Sequence, residues 1–212
     1  MELKEKMIRY LRKNKVSTTE VADCLGKSGV LDNIFPLIPQ NYIAGEIRYS
    51  YAIEESNWTI HEALIEPCED KILFMDAIDV NNRALVGELV TKFAVLYQGA
   101  VAVVTNGKMR DANALIKEKF PVWCTGVSPV GCFNRKVDVE KYSEVIANHR
   151  NIYEGAIAVC DDSGVVLIPK DKITEEFYKK LEQIEYQEDI WFDCIDRRKW
   201  NTFDTVCLKK YL

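Results

Sequence analysis

The sequence is poor in the residue types that most often build catalytic metal centres and acyl-transfer sites. It has only two histidines, His61 and His149, and its seven cysteines never form a C-x-x-C pair. A histidine-rich zinc or iron site is therefore disfavoured, and a Ser-His-Asp triad would depend on one of two imidazoles. The number of cysteines is odd and they stand singly among apolar neighbours, so we interpret them as reduced thiols of a protein core.

The chain also lacks an apolar run of about 18 residues, the length that a membrane-spanning helix needs. Its first segment, MELKEKMIRYLRKN, is charged and amphipathic and has no apolar core of the kind found in signal peptides. A formal net charge of −5 and a pI near 5.3 argue against a surface for nucleic acid or for anionic membranes. We therefore expect a cytoplasmic protein that binds neither nucleic acid nor a membrane.

Length and patterning predict one compact α/β domain. The 212 residues are 48% hydrophobic and 29% charged, which is typical of a globular chain with one substantial core. No linker, charge run or internal repeat divides the chain, and runs of β-forming residues alternate with helical patterns. We predict a core over 17–190, an N-terminal helix within 1–16 and a helical, aromatic tail over 190–212.

The N-terminal third predicts helices before a first long strand. An apolar stripe favours a helix over 3–14, and the capping-box sequence Ser17–Glu20 begins a second helix that ends near Leu25. A segment rich in β-branched and aromatic residues, 42–53, favours a strand, and 58–65 favours a short helix. His61 falls in that short helix, where we interpret it as a helical residue with a local hydrogen bond.

Two carboxylates follow the next predicted strand, which covers 71–75. Asp76 ends this strand and Asp79 lies just beyond it. Ligands of open α/β sheets collect at the carboxyl ends of strands, so Asp76 is a candidate catalytic residue. The alternative is structural, because aspartate is also a common turn residue.

The last third predicts three further strands, at 121–124, 155–159 and 165–168. The tetrapeptide DDSG joins the last two as a hairpin turn, and we interpret it as structural because it lacks the downstream ligands of a calcium loop. A helix begins at Thr174. The tail after it is unusually aromatic, which predicts burial against this subunit or a neighbour.

The stretch from Ala84 to Asp111, ALVGELVTKFAVLYQGAVAVVTNGKMRD, holds the best candidate site. A helical apolar period is followed by a buried strand and the turn signal Asn106-Gly107. The strand then delivers Arg110 and Asp111 at its carboxyl end. Backbone amides in the first turn of the helix favour an anion, here a substrate carboxylate. The apolar period consists of Leu85, Leu89, Phe93 and Leu96 or Tyr97. The residues predicted to bind the carboxylate are Gly87, Glu88 and Leu89.

Each feature of this stretch also has a structural interpretation. Arg110 and Asp111 could form a surface salt bridge, and Gly87 could serve close helix packing. The order of the parts favours a site, because a small residue at a helix start, a buried strand, a glycine turn and an Arg-Asp pair seldom follow one another by chance.

This stretch resembles the G-E-x-x…G-x-x-G-x-V-x-D-G-x-x-R-D signature of the RraA-like family, which includes regulators of ribonuclease activity and class II pyruvate aldolases. Five further blocks resemble family blocks in the family's order, and together they cover most of 17–190. They are STTEVADCLGKSGV, IHEAL, KILFMDA, FPVWCTGVSP and AVCDDSGVVLIPKD. The chain departs from the family pattern at Asn106, where aspartate is usual, at Ala156, and in VEKYSEVIANHRNI. We expect these departures to alter the substrate more than the fold.

The resemblance implies a compact β/β/α sandwich of the swivelling-domain type, assembled as a ring-like homotrimer or a dimer of trimers with active sites at subunit interfaces. It also implies a lyase that needs Mg²⁺ (or Mn²⁺) and acts on a 2-oxo acid through pyruvate enolate, as an aldolase or an oxaloacetate decarboxylase. On this basis we predict Arg110, Glu88 and Asp76 as catalytic residues and Asp111 as the metal ligand. Gly87, Glu88, Leu89 and Arg110 are the predicted substrate-binding residues.

Two rival functions remain open at this point. Some relatives regulate a ribonuclease by contacting it, so the chain could be a non-catalytic regulator of a protein partner. Lys108 could instead form a Schiff base, as in class I aldolases, although an exposed turn lysine is the simpler interpretation.

Overall fold

A computed structural model describes residues 2–212 as an α/β fold with ten strands in two sheets. The strands are β1 (Phe35–Pro36), β2 (Ile43–Ile53), β3 (Lys71–Ile78), β4 (Ala84–Val86), β5 (Ala102–Thr105), β6 (Lys108–Met109), β7 (Val122–Cys124), β8 (Gly126–Val127), β9 (Ile157–Asp161) and β10 (Gly164–Ile168). The α-helices are α1 (Leu3–Asn14), α2 (Thr18–Cys24), α3 (Trp58–Ala63), α4 (Glu88–Lys92), α5 (Ala112–Lys117), α6 (Ser143–Tyr153) and α7 (Glu175–Phe192). Short 3₁₀ turns cover Glu140–Tyr142 and Lys170–Lys172, and π-helical turns cover Phe93–Tyr97, Asp193–Arg197 and Phe203–Cys207.

The large sheet has seven strands in the order β1-β7-β5-β3-β2-β9-β10. Its centre, β2-β3-β5-β7, is parallel, whereas β9 and β10 form an antiparallel hairpin at one edge. The small sheet is parallel and has the order β4-β6-β8. The two sheets with helices against them confirm the α/β class that the patterning predicts and form the layered sandwich that the family resemblance implies.

Both faces of the central strands are buried, as expected for parallel strands. One face of β3 carries Leu73 and Met75, which pack in a core with Leu85 and Val86 of the small sheet. The opposite face carries Ile72 and Phe74, which pack in a second core beneath α6. A third core joins α1, α2 and α7 to the β9-β10 hairpin. The candidate site therefore rests on the first core, on the small-sheet side of the molecule.

The N-terminal helices form as the sequence predicts. Met7 and Leu11 of α1 are completely buried. The Ser17 side chain accepts a hydrogen bond from the Glu20 amide, and the Glu20 carboxylate accepts one from the Ser17 amide, so the predicted capping box is present. Reciprocal bonds of this kind satisfy two amides that a helix start would leave unpaired.

Two boundaries differ from the prediction. Strand β3 continues to Ile78, so Asp76 lies inside the strand rather than at its end. Residues Ala84–Val86 form β4, and the helix starts only at Glu88. The predicted apolar period is therefore split: Leu85 is buried in β4, but the helical residues that continue the period point to solvent. Leu89, Phe93, Leu96 and Tyr97 are 79%, 42%, 59% and 71% exposed.

The tail after α7 is helical but only partly buried. Trp191 donates a hydrogen bond to the Tyr211 hydroxyl over 3.2 Å, which ties the end of the chain to α7. Phe192 and Phe203 are 62% and 61% exposed, so this subunit does not bury these two, and their burial against a neighbour stays a prediction. In the part of the chain from residue 2 onward, no helix combines the length and the apolar character needed to cross a bilayer.

Candidate functional site

The small sheet and the start of α4 hold the predicted site residues. The chain passes from β5 into β6 through a tight turn at Gly107. This position requires glycine, because a Cβ there would lie 2.4 Å from Leu85 Cδ1. Strand β6 then pairs in parallel with β4, and the Arg110 amide donates a 3.0 Å hydrogen bond to the Val86 carbonyl. This pairing brings the end of β6 beside the start of α4.

Arg110 and Asp111 lie together at this junction. The Arg110 Nε is 3.5 Å from Asp111 Oδ2, and the two side chains are 51% and 44% exposed. The same Oδ2 accepts a 3.2 Å hydrogen bond from the Glu88 amide, so the Asp111 carboxylate lies against the first turn of α4. A carboxylate is stabilised there by unpaired amides and by the helix dipole. The start of α4 therefore holds a carboxylate of the chain itself, and the binding of a substrate anion there stays a prediction.

Asp111 has a left-handed backbone, with φ 58° and ψ 34°, and is the N-cap residue of α5. Non-glycine residues adopt this conformation at some cost, although aspartate and asparagine do so more readily than most. The conformation turns the chain from β6 into α5 directly beside Arg110. Backbone conformations of this kind gather at functional sites, where the surrounding structure holds them in place.

Gly87 is required by close approach rather than by its backbone conformation. Its φ and ψ are −136° and −153°, an extended conformation open to any residue. A Cβ at this position would lie 2.1 Å from Asp111 Oδ2 and 2.6 Å from Arg110 Cγ. The absence of a side chain at Gly87 is thus what lets Arg110 and Asp111 pack against the start of α4.

A small cavity of about 90 Å³ opens beside this junction. The residues that line it include Asn57, His61, Gly87, Leu89, Arg110 and Asn134. The structure therefore brings Gly87, Leu89 and Arg110 to one cavity, with Glu88 and Asp111 next to it. Within residues 2–212 of one subunit, no residue of 137–152 lines the cavity.

Asn57 and His61 were not predicted as site residues. Both belong to the α3 region, with Asn57 as its N-cap residue and His61 in its last turn. The expected local hydrogen bond of the His61 side chain is not found among residues 2–212. A signal was present in the sequence, because residues four apart share one face of a helix. Nothing in the sequence, however, indicated that this face meets the small sheet.

Asp76 does not join Arg110 and Asp111. It lies on the α6 face of β3, shares that face with Phe74, and is completely buried. Its Oδ2 accepts hydrogen bonds from the Tyr49 hydroxyl (2.8 Å) and lies 2.6 Å from His149 Nδ1. Its Oδ1 accepts a 2.7 Å hydrogen bond from Asn106 Nδ2. The carboxylate is thus saturated by the protein and lies under α6, away from the cavity.

This arrangement explains the departure at Asn106. Its side-chain amide donates to Asp76, and its Oδ1 accepts a 2.6 Å hydrogen bond from the Ala77 amide. An aspartate here would place a second carboxylate against the buried carboxylate of Asp76 and would remove the donor. Like charges buried together are unfavourable, so asparagine suits this pairing.

We expect the protein to lose stability as the pH rises above about 10, the ordinary pKa of tyrosine. Burial, then the charge of Asp76 and the hydrogen bond to it, raise the pKa of Tyr49 well above that value. The folded state therefore keeps a phenolic proton that the unfolded chain releases, so this stability is complete below pH 10 and decreases above it. Urea unfolding at pH 8 and pH 11 measures the effect.

Tyr49→Phe should show a smaller loss of unfolding free energy between these two pH values than the wild type. The variant should also be less stable at pH 8 by about 1–3 kcal/mol, because Asp76 loses a donor. Tyr186→Phe is the matched control, since Tyr186 is 69% exposed. Equal losses in all three proteins would contradict the assignment.

The residues beside the cavity fit a magnesium ion better than a zinc ion. Among residues 2–212, no three His, Cys, Asp or Glu side chains converge as a ready-made ligand set. Mg²⁺ commonly binds through one or two carboxylates and completes its shell with water and substrate oxygens. Asp111 is half-exposed and Glu88 is in the adjacent helical turn, which meets that requirement.

Cys132 lines the same cavity but does not offer a thiolate at neutral pH. Burial raises the pKa of its thiol to about 11. A protonated thiol is a poor nucleophile and a poor metal ligand. The chemistry of the cavity therefore rests on oxygen and nitrogen groups.

Fold and site together define an α/β protein with two sheets in which an Arg-Asp pair packs on a glycine at a helix start. The chain belongs to the RraA-like family, described as Aldolase/RraA, whose profile matches residues 18–167. The resemblance seen in the sequence is thereby confirmed.

Curated relatives are distant. Protein DlpA of Legionella pneumophila is 25% identical over 175 residues, which cover 78% of this chain but only 28% of that protein. A Halalkalibacterium halodurans protein provisionally named 4-hydroxy-4-methyl-2-oxoglutarate aldolase is 25% identical over 178 residues, covering 82% of this chain and 83% of the relative. The chain therefore spans little more than a quarter of the first relative and most of the second.

Solved structures share the fold. An uncharacterized protein of Pseudomonas syringae has a TM-score of 0.72 at 19% identity, covering 97% of this chain and 94% of that one. The Streptomyces coelicolor protein RraAS2, described as an unusual member of the RNase ES inhibitor RraA family, has a TM-score of 0.68 at 22% identity. That alignment covers 87% of this chain and 95% of RraAS2. At these identities the likeness supports the α/β fold alone.

Proposed function

We propose that the protein is a divalent-metal-dependent carbon-carbon lyase that acts on a 2-oxo acid. The observation that carries the proposal is the packing of Arg110 and Asp111 on Gly87 at the start of α4, beside a cavity that Arg110 lines. A cationic fork and a half-exposed carboxylate at one entrance suit a substrate that is both an anion and a metal chelator. The provisional aldolase name of one relative supports the same class of reaction.

Asp111 would hold Mg²⁺ (or Mn²⁺), directly or through water, and Glu88 is the acidic residue whose amide bonds Asp111. When bound, the metal would supply Lewis-acid polarisation of the 2-oxo group. Asp111 Oδ2 accepts one hydrogen bond from the Glu88 amide and faces Arg110, so the carboxylate is already held at the entrance of the cavity. A preorganised ligand loses less freedom on binding.

Arg110 would stabilise the enolate oxygen as the carbon-carbon bond breaks. A guanidinium presents its donors in a rigid plane, and a charge-assisted hydrogen bond to a developing oxyanion is stronger in the transition state than in the ground state. The position of Gly131 supports this role, because a Cβ there would lie 3.0 Å from Arg110 Nη1. Arg110 thus lies flat against a glycine, which limits its movement.

The amides near Gly87 and Leu89 would bind the substrate carboxylate. The Glu88 amide is engaged by Asp111 in this state, so the metal-loaded site would need Asp111 to turn toward the ion or to share that amide. Asp76 has no part in this mechanism, since its oxygens are occupied by Tyr49, His149 and Asn106.

Retro-aldol cleavage of a 4-hydroxy-2-oxo acid and decarboxylation of oxaloacetate both release pyruvate enolate, and the site is consistent with either. A panel of 4-hydroxy-2-oxo acids and oxaloacetate, with pyruvate measured by a coupled assay in Mg²⁺, tests the proposal. We expect turnover with at least one of them at a kcat/KM of about 10⁴ M⁻¹s⁻¹ or more, the range of ordinary enzymes. No pyruvate from any substrate, with folded protein and added metal, would contradict it.

A non-catalytic regulator is the second candidate, supported by the inhibitor description of RraAS2. This function is less favoured, because binding a protein partner does not require Arg110 and Asp111 to pack on Gly87 at a helix start. Lys108 as a Schiff-base amine is also less favoured. It lies in β6 between β4 and β8 and is absent from the cavity wall that residues 2–212 form.

An exposed apolar stripe runs along α4 and the π-helical turn after it, through Leu89, Phe93, Leu96 and Tyr97. It supports assembly of the chain into a homo-oligomer, a trimer or a dimer of trimers. Leu89 lies both in this stripe and in the cavity wall, so a second copy packed on Phe93, Leu96 and Tyr97 would adjoin the site. Apolar side chains grouped in this way seldom remain in contact with water. We propose that a second copy covers the stripe and closes one side of the cavity.

Light scattering at micromolar concentration is expected to give a mass that is a multiple of 24.4 kDa. The double variant Phe93→Glu/Leu96→Glu should shift the protein toward monomer, because burying two new charges is unfavourable. Ile65→Glu is the matched control, since Ile65 is 74% exposed but lies outside the stripe. A wild type that is monodisperse and monomeric would contradict the interfacial site.

A further inference from the structure

The glycine that Arg110 lies against belongs to a segment that β4 holds in place. The Ala84 amide donates a 2.8 Å hydrogen bond to the Val130 carbonyl, and the Cys132 amide donates a 2.9 Å hydrogen bond to the Ala84 carbonyl. Gly131 therefore stands opposite the first residue of β4, with one backbone bond on each side of it. These two bonds do not use the carbonyl of Gly131, which is left for a side chain.

Arg83, the residue directly before β4, takes up that carbonyl. Its Nη1 donates a 3.1 Å hydrogen bond to the Gly131 oxygen. The Arg83 amide also donates a 3.0 Å hydrogen bond to the Val80 carbonyl, so the side chain projects from an ordered turn. A hydrogen bond from a charged donor is stronger than one between neutral groups. The carbonyl of Gly131 is therefore held from the Arg83 side.

The Arg83 guanidinium is itself held by its surroundings. Its Nε lies 3.3 Å from Glu55 Oε1, as an ion pair rather than an aligned hydrogen bond, and its side chain is only 23% exposed. Asn81 Nδ2 donates a 3.0 Å hydrogen bond to the same Glu55 oxygen. The Arg83 Cζ lies 4.5 Å from the centre of the Phe133 ring, within the range of a cation–π contact. Glu55 also offsets the positive charge of Arg83, which would otherwise repel a second guanidinium nearby.

The second guanidinium is that of Arg110, on the α-carbon side of the same glycine. A Cβ at Gly131 would lie 3.0 Å from Arg110 Nη1, 3.5 Å from its Cδ and 3.7 Å from its Cζ. The outer half of the Arg110 side chain thus runs along Gly131. Because Arg110 is 51% exposed, this wall is an important restraint on its position. One glycine therefore connects the two arginines, with Arg83 at its carbonyl and Arg110 against its α-carbon.

We infer that Arg83 is a positioning residue, which holds Gly131 where it aligns the Arg110 guanidinium with the enolate oxygen. The inference rests on the proposed function of Arg110. Arg83 is absent from the cavity wall that residues 2–212 form, so it acts through Gly131 and not on the substrate. A donor that is free to move stabilises a developing charge less than a preorganised one. Loss of Arg83 should therefore lower kcat and leave KM nearly unchanged.

A double-mutant cycle on kcat tests the inference, with the intact protein, saturating Mg²⁺ and the best substrate of the panel. Arg83→Met should lower kcat about 10-fold and change KM by less than about 2-fold, a part of the roughly 10²-fold loss that a misplacement of about 1 Å causes. In the Arg110→Lys background the same change should lower kcat by less than about 2-fold, because residues that act through one another are not additive. Arg83→Lys keeps a cation and a donor but loses the planar fork, so it should lower kcat by only about 3-fold.

Arg12→Met is the matched control. Arg12 also holds one carbonyl and one carboxylate, since its Nε donates a 2.6 Å hydrogen bond to the Ala44 carbonyl and its Nη1 donates one of 2.8 Å to Asp70 Oδ1. It lies on α1, which contributes no residue to the cavity wall formed by residues 2–212. This variant should lose stability and keep the kcat of the wild type. Thermal unfolding of every variant shows which of them are folded at the assay temperature.

The cycle separates a positioning role from a structural one. An unchanged kcat in folded Arg83→Met, the same loss of kcat in both backgrounds, or a rise in KM alone would overturn this inference and leave the role of Arg110 intact. If Arg83→Met does not fold, Arg83→Lys decides in the same cycle: an unchanged kcat, or an equal loss with and without Arg110→Lys, would overturn it. A wild type that turns over no substrate of the panel would overturn the proposed function, and this inference with it.

Discussion

Arg110→Lys is expected to lower kcat by about 10²–10³-fold while the Mg²⁺ requirement remains nearly the same, the usual loss for a donor to a developing oxyanion. Lysine keeps the positive charge but presents it as a point, so the planar contact with the enolate oxygen is lost. Arg110 contacts the proposed metal ligand only through its Nε, which lies 3.5 Å from Asp111 Oδ2. We therefore expect the substitution to change the metal requirement little. Steady-state kinetics at several Mg²⁺ concentrations separate the two effects.

The same substitution elsewhere provides the control. Arg150→Lys, on α6 and about half-exposed, should retain the activity of the wild type. If Arg110→Lys had the same kcat as Arg150→Lys, Arg110 would be one half of a surface salt bridge, which contributes about 0–1 kcal/mol and has no catalytic consequence.

Gly87→Ala is expected to reduce kcat/KM by about 10²-fold or more, because a misplacement of about 1 Å at a reacting centre has that effect. The new methyl group would lie 2.1 Å from Asp111 Oδ2 and 2.6 Å from Arg110 Cγ, so both side chains have to move. The backbone conformation of Gly87 is extended, so the loss cannot come from strain in φ. Circular dichroism and kinetics on the same preparation measure folding and activity together.

Gly45→Ala is the matched control for adding one methyl group. Its Cβ would meet Ile72 Cγ1 at 3.3 Å, a tight contact that is remote from the cavity. This variant should lose some stability and keep its activity. Full activity of Gly87→Ala would mean that Arg110 and Asp111 need not pack against α4 for function.

Local patterns in the sequence predicted the parts of the fold that depend on neighbouring residues. The capping box at Ser17 and the hairpin around Gly164 are present because the first is set by two adjacent side chains and the second by a glycine with a positive φ. Strand β5 forms where a short run of β-forming residues predicted it. The pairing of β4 with β6, which assembles the site, is not encoded in any local pattern.

The predictions that were wrong or incomplete depended on tertiary contacts. Asp76 follows an apolar run that looks like a complete strand, but β2 continues alongside β3 and extends the ladder to Ile78. The apolar residues of α4 and of the π-helical turn after it follow a helical period that is typical of burial. Leu96 and Tyr97 nevertheless face outward, because this helical segment buries the side that carries Thr91 and Ala94. Periodicity identifies an apolar face but not the molecule that covers it.

Asn57 shows the same limit at the site. Its position before α3 is consistent with an N-cap residue, yet its side chain makes no capping hydrogen bond and reaches Leu85 instead. The side chain of this asparagine bonds a carbonyl 28 residues away and does not cap the helix. The sequence alone does not distinguish it from an asparagine that caps. Only the meeting of α3 with β4 reveals this contact.

The central claim is that Asp111 holds a divalent metal on which turnover depends, and a Mg²⁺ titration of the chelator-treated wild type and Asp111→Asn tests it most directly. Asparagine tolerates the left-handed backbone of Asp111, so the variant should fold. We expect chelation to abolish wild-type turnover and Mg²⁺ or Mn²⁺ to restore it. The Asp111→Asn curve should shift to a metal concentration at least about 10-fold higher, because even residues that only support a metal ligand change metal affinity by about that factor. Wild-type turnover that is indifferent to the chelator, or superimposable curves for the two proteins, would contradict the account.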